Sequence, residues 1–373
     1  MIIMALDHTR DFFHDQAFTD DPLNLATTTP YLFFTRWITH FCAPVFVFLS
    51  GTSVYFQSLR KSKKALGGFL ITRGLWLILL ELVVISFAVS FDAEYSVFVL
   101  QVIWAIGISM VVLGLLVRLP FAAILAIGIV IVAGHNLLDA YEATHKDFSV
   151  WYSLLHKQSV AQLPTGRSLL IFYPFLPWTG VMIMGYCFGR FYMSNFARKN
   201  RRSIYLGATL IILFILLRWM DYYGDPLSWS QQKNFLYTVF SFINTQKYPP
   251  SLLYLFMTIG PALVVLGLFG EARNKFTDVV SVYGRVPLFY YILHFFLIHI
   301  LCVILFLARG HSFSEGLAGA PGSPFKFVVP GEGYSLGIVY LIWMGVVIFL
   351  YPLCKWYSVY KFADRRRWWL SYL

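Results

Sequence analysis

Runs of about 20 apolar residues recur along the chain, most of them separated by short polar stretches. Runs of that length cross a bilayer as α-helices, which satisfy their own backbone polar groups in hydrocarbon. The pattern predicts spans near 33–57, 69–90, 97–117, 120–138, 169–190, 203–219, 250–269, 287–308 and 335–353. A further segment, MIIMALDHTRDFF, opens the sequence, but its apolar part is too short to span, and it reads as the outer end of a helix. No Pro/Gly/Ser-rich linker or charge block divides the chain, so residues 1–373 read as one domain. The expected fold class is all-α, a polytopic membrane helical bundle of about ten spans with the first one truncated.

Composition strengthens that picture. Hydrophobic residues make up 58% of the chain and charged residues 13%, too much apolar surface for a water-soluble core. The 36 Phe, 23 Tyr and 11 Trp suit the interfacial belts of a membrane protein. A net charge of +11 raises nucleic acid as a partner, but the basic residues sit in short loops beside apolar spans, which excludes it. Four of them lie in SLRKSKK, five in RFYMSNFARKNRR, three in GEARNKFTDVVSVYGR and five in the tail KWYSVYKFADRRRWW. With Arg118 these all alternate to one face; the other face carries seven, spread over longer loops. The positive-inside rule places the rich face, and the C-terminus, in the cytoplasm. Cys42, Cys187, Cys302 and Cys354 have no metal-knuckle spacing and read as packing residues.

Ionisable groups within the apolar segments carry the candidate chemistry, because hydrocarbon makes them costly. On a helix Asp7, Asp11 and His14 fall at i, i+4 and i+7, Arg10 reaches Asp7 or His14, and His8 lies about 100° around from Asp7. A carboxylate beside an imidazole suits a general base; a charged helix end among lipid headgroups is the plainer reading. Arg36 and His40 share a face four residues apart, either to bind a polar group or to bridge to Asp7 or Asp11. Arg73 lies where it can snorkel, whereas Glu81 is deeper and needs a partner or a polar cavity. His294 and His299 are five apart, a poor spacing for zinc, and no metal is expected. Arg285, at the cytoplasmic mouth, is a candidate for a phosphate. No P-loop, dinucleotide-binding glycine motif, HExxH or GxSxG is present.

The stretches MALDHTRDFF, LATTTPYLFFTRWITHFCAPVFVFLSGTS, FLPWTGVMIMGYCFGR, KYPPSLLYLFMTIGPAL and YGRVPLFYYILHFFLIH resemble bacterial relatives of heparan-alpha-glucosaminide N-acetyltransferase, and the similarity runs through essentially the whole chain. The resemblance implies a multi-pass acyltransferase of the bacterial inner membrane. Such an enzyme passes an acetyl group from cytosolic acetyl-CoA to a sugar amine or hydroxyl on the outer side. In the wider superfamily a functional His stands on the first helix, a position His8 occupies, with an Arg about three helical turns upstream. That Arg would precede residue 1, so the coding frame is expected to continue upstream by about two to three turns. The animal enzyme has Asn at the position of His8 and its catalytic His further on, where His14 is the nearest counterpart.

These expectations assemble into one site. His8, oriented by Asp7 or Asp11, acts as general base, with His14 next in line. Arg10, Arg36, His40, Glu81, His294 and His299 contribute to the acceptor pocket, and Arg36 or His40 stabilises the oxyanion. Arg285, with Arg73 or Lys63, holds the CoA diphosphate. The expected partners are the lipid bilayer and a small-molecule or glycan acceptor, with a homodimer as an option. The alternatives are a transporter or channel for a small polar or anionic solute, and a non-catalytic subunit of envelope polysaccharide assembly. No inverted repeat or pair of broken helices favours the transporter.

Overall fold

The computed structural model describes residues 1–195, 198–321 and 323–363; the tail residues Arg365, Arg366 and Arg367, counted in the charge pattern, lie outside these. The chain opens with α1 (Ile2–Phe13), α2 (Pro30–Thr39), α3 (Cys42–Ser58), α4 (Lys63–Leu80), a π-turn (Glu81–Ile85) and α5 (Ser86–Ser90). Strand β1 (Val97–Leu100), α6 (Val102–Leu116), α7 (Phe121–Gly134), α8 (Leu138–Thr144), α9 (Val150–Leu155), β2 (Ser159–Gln162) and β3 (Ser168–Ile171) follow. Then come α10 (Phe175–Met193), α11 (Lys199–Met220), α12 (Phe235–Ile243), α13 (Leu252–Phe269), α14 (Lys275–Arg285), α15 (Pro287–Ala308), α16 (Phe313–Ala318) and α17 (Leu336–Ala363). The described residues are mostly helical, 69%, with little sheet.

Among the described residues, seven helical stretches are long and apolar enough to cross a membrane. They are Pro30–Ser58, Lys63–Ser90, Phe121–Thr144, Lys199–Met220, Leu252–Phe269, Pro287–Ala308 and Leu336–Ala363. Local signals set several boundaries. The Thr29 side chain caps α2 by accepting from the Leu32 amide, and Pro30 follows it in the first turn, where a missing N–H costs nothing. The apolar run near 33–57 is interrupted at His40 and Phe41, so α2 and α3 are separate helices.

Two of the expected spans are shorter than their apolar runs. Val97–Leu100 and Ser168–Ile171 are strands, leaving Val102–Leu116 and Phe175–Met193 as the helices. Apolar β-branched runs suit a buried strand as well as a helix, and pairing decides. β1 lies parallel to β3, with Val97 opposite Ser168 and Leu100 opposite Ile171, and β2 lies antiparallel on the far side of β3. The parallel register brings the next residues, Gln101 and Phe172, to the same end of the sheet; Phe172 and Tyr173 both donate their amides to Leu100 O, at 3.1 and 3.2 Å.

Helices pair along glycine seams. A Cβ built on Gly51 of α3 would lie 2.0 Å from the Met182 carbonyl of α10, and one on Gly185 would lie 2.0 Å from the Phe48 carbonyl. Gly74 and Gly107 join α4 to α6, and Gly207 and Gly260 join α11 to α13, by similar approach. Small residues let backbones touch where lipid gives no hydrophobic driving force between helices. Gly51→Val is therefore expected to cost about 1–3 kcal/mol or more, because the clash is with backbone. Gly68→Ala, at a position with no neighbour within 4 Å, is the control. Melting of the detergent-solubilised protein checks this: a clear drop for Gly51→Val and none for Gly68→Ala.

Candidate functional site

The opening helix α1 presents Asp7, His8 and Asp11 to a cavity of about 200 Å³. Arg10 lies one turn beyond Asp7, and its Nη2 donates to Asp7 Oδ1 at 3.2 Å and to Asp11 Oδ1 at 2.6 Å. From α2, Arg36 Nη1 reaches both Asp7 oxygens at 2.6 Å. Lys247 Nζ adds a third cation, 3.8 Å from Asp7 Oδ2. Three cations thus face two carboxylates, with Asp7 and Arg10 both buried. Of the two expectations for Arg36, the bridge to Asp7 is realised, and Arg36 also lines the cavity.

Lys247 and Tyr248, which sequence reasoning passed over, are placed by a second buried guanidinium. Arg218, fully buried at the end of α11, donates to the carbonyls of Leu227 at 2.5 Å, Phe242 at 2.9 Å, Ser241 at 3.1 Å and Asn244 at 2.9 Å. Asp225 accepts from the Gln246 amide at 2.9 Å and the Ser251 hydroxyl at 2.5 Å. Burial pushes the Asp225 carboxyl up from its ordinary range, against these hydrogen bonds. Together they fix the segment on either side of Lys247.

The remaining walls come from elements far apart in sequence. Gln101 and Val102 after β1, and Phe172 and Tyr173 after β3, line the cavity because the parallel strands end together. Tyr291 and Phe295 come from α15. The His8 ring lies 4.2 Å from the Phe295 ring and 5.3 Å from the His294 ring, centroid to centroid. Among the described residues no hydrogen bond joins His8 to a carboxylate. The expected orientation of His8 by Asp7 or Asp11 is therefore replaced by aromatic packing, since the cations occupy both acids.

Several expected pocket residues lie elsewhere. His14 caps the end of α1, its Nδ1 accepting from the Gln16 amide at 3.2 Å, outside the cavity lining. His40 sits at the α2–α3 break, buried, with the Tyr254 hydroxyl donating to its carbonyl at 2.8 Å. Glu81 lies behind the wall; its Oε1 accepts from the Gln101 amide at 2.6 Å and so caps α6. Gln101 relays that contact to the cavity by accepting from the Tyr291 hydroxyl at 3.2 Å. His294 hydrogen-bonds the Tyr290 carbonyl at 3.1 Å, as the ring behind His8. His299 ties α15 to the Ala88 carbonyl at 3.1 Å and the Lys326 carbonyl at 3.0 Å, a packing role.

The three residues expected to grip CoA also fall outside the cavity lining. Lys63 spends its ammonium on the Arg118 and Leu119 carbonyls, at 3.3 and 3.2 Å. Arg73 lies within α4, 6.0 Å from the Phe69 ring centre, and Arg285 is exposed at the end of α14. A separate buried cluster went unread in the sequence. His156 Nδ1 lies 2.7 Å from Glu142 Oε1, Lys157 Nζ lies 2.9 Å from Oε2, and His135 Nδ1 lies 3.1 Å from His156 Nε2. Asp139, Glu142 and His156 approach one another as metal ligands do, but the lysine already matches the glutamate's charge. The cluster reads as a tie between α8 and the segment after α9.

The first helices of this helical membrane protein thus place charged groups and an imidazole around a small cavity. The catalytic model for heparan-alpha-glucosaminide N-acetyltransferase matches residues 1–219, more than half of the chain, and the protein belongs to that family of transmembrane acetyltransferases. No curated protein and no solved structure matches the chain. The match takes in His8, the two carboxylates and Arg36, while Lys247, Tyr248 and Tyr291 lie beyond it.

The ion cluster predicts an asymmetric pair of variants. Arg36→Leu leaves Asp7 with only its longer contacts to Arg10 and Lys247, a cost below the ~3–5 kcal/mol of a fully stranded buried charge. Adding Asp7→Asn should recover much of that loss. Thermal melts of the single and double variants measure it, and additive losses would deny the coupling.

Proposed function

We propose that the cavity beside His8 is the acyl-transfer site, and that the protein moves an acetyl group from cytosolic acetyl-CoA to a sugar amine or hydroxyl on the outer side of the bacterial inner membrane. Family membership supports the reaction class. The observation that carries the site is that His8 lines a cavity whose wall includes the Asp7–Arg36–Lys247 ion cluster.

In the proposed step, His8 accepts the proton of the acceptor amine or hydroxyl as that nucleophile bonds to the thioester carbonyl carbon. Arg36 and Lys247, both largely buried, face the charge that develops on the carbonyl oxygen. The carbon–sulfur bond breaks, and His8 returns its proton to the departing thiolate, so atoms and charge balance. Asp7 holds Arg36 and Lys247 in place and moderates their charge; Phe295 and His294 fix the ring of His8.

A volume of about 200 Å³ has room for a thioester and an amine. The nucleotide of CoA belongs outside this cavity, and exposed Arg285 is our candidate for its diphosphate. The basic loops set the orientation we propose, with the C-terminus in the cytoplasm.

His8→Ala should lower acetyl transfer in membranes by about 10²–10⁴-fold without loss of expression. Lys247→Met should lower kcat by up to about 10²–10³-fold with a smaller change in KM. Labelled acetyl-CoA presented to sealed membrane vesicles, with product counted on amino-sugar acceptors, is the measurement. Undiminished turnover of His8→Ala would move the base elsewhere.

A further inference from the structure

A second cavity, of about 570 Å³, is a groove bounded by α3, α7, α10, α11 and α13. Its walls are almost wholly apolar, including Phe48, Leu125, Met184, Leu210, Ile259 and Leu263. The glycine seams explain why it exists. α3 is locked to α10, and α11 to α13, with backbones in contact, so each pair is a rigid wall and the space between the walls is left for something else. An apolar hollow in a membrane forfeits dispersion contacts unless a chain fills it.

Polarity enters at one end only, where α10 finishes. Arg190 and Ser194 line the groove there. The Arg190 guanidinium lies 4.1 Å from the Phe121 ring centre, and Phe121 is itself part of the wall. Arg202 sits over Phe191 at 3.9 Å and donates to the Ser194 hydroxyl at 2.6 Å, and both of those residues line the groove. Among the described residues neither arginine has a carboxylate partner. Stacking on a ring holds a guanidinium flat while leaving its N–H groups free for an anion, and the fork of donors matches phosphate oxygens.

We propose that this groove holds one acyl chain of an anionic phospholipid, with the lipid phosphate seated between Arg190 and Arg202. The chain fills the apolar length between the two helix pairs, and the headgroup sits where the basic loop after α10 begins. The site is separate from the cavity beside His8, and its occupancy does not depend on the reaction proposed there.

The test uses the full chain purified in detergent and native mass spectrometry with phosphatidylglycerol or phosphatidylcholine. The wild type should prefer phosphatidylglycerol, and each of Arg190→Ala and Arg202→Ala should weaken that preference by about fivefold, the factor equivalent to the ~1 kcal/mol of one basic residue near an anionic lipid. Leu210→Trp, which fills the groove, should reduce retention of both lipids while the protein remains monodisperse. Equal binding of the two lipids by the wild type, or an unchanged preference in the double arginine variant, would overturn the proposal. Displacement of phosphatidylglycerol by a polyprenyl phosphate at equal concentration would overturn it too, pointing to a lipid-linked acceptor.

Discussion

One carboxylate organises the site. Asp7 is buried in α1, and its two oxygens are shared by Arg36 of α2, Arg10 of its own helix and Lys247 from the segment ahead of α13. None of these four groups is tolerable alone in a low-dielectric interior, since each unpaired charge costs several kcal/mol. Their mutual pairing therefore fixes where three separate parts of the chain meet. His8, next to Asp7 on the helix, inherits its position from that junction.

Around the junction the structure uses two kinds of rigidity. Backbone contact at glycines locks helices into pairs, as at Gly51 and Gly185. Polar ties hold the irregular segments: Arg218 collects four carbonyls, and Glu81 caps α6 through Gln101. The cavity sits where these frameworks end, which is why its walls come from helix, strand end and loop alike.

Much of this was legible in the sequence, and the unreadable parts share a cause. Asp7, His8, Asp11 and Arg36 stand out because charge within an apolar run demands a partner, and all four line the cavity. Lys247 gave no such signal, because a lysine in a polar loop is ordinary until the fold turns that loop inward. The strands Val97–Leu100 and Ser168–Ile171 were hidden inside apolar runs that fit a helix equally well. His14, His40, Glu81, His294 and His299 were grouped with the pocket on helical spacing, depth and, for His14, the family resemblance. The sequence does not say which way a helix face turns: hydrogen bonds take up His14, Glu81, His294 and His299, and the His40 ring packs against that of Tyr254.

The distance in sequence between Asp7 and Lys247 bears on how the protein is made. The ribosome releases α1 and α2 long before the segment that carries Lys247. During that interval Asp7 and Arg36 have only each other and Arg10, and the hollow lacks the tyrosines and phenylalanine supplied by residues 248, 291 and 295. Until then the acids of α1 are balanced only by the arginines of the first two helices. Assembly of the site is among the last events of insertion, and a chain interrupted before α15 would carry the imidazole with no chamber to work in.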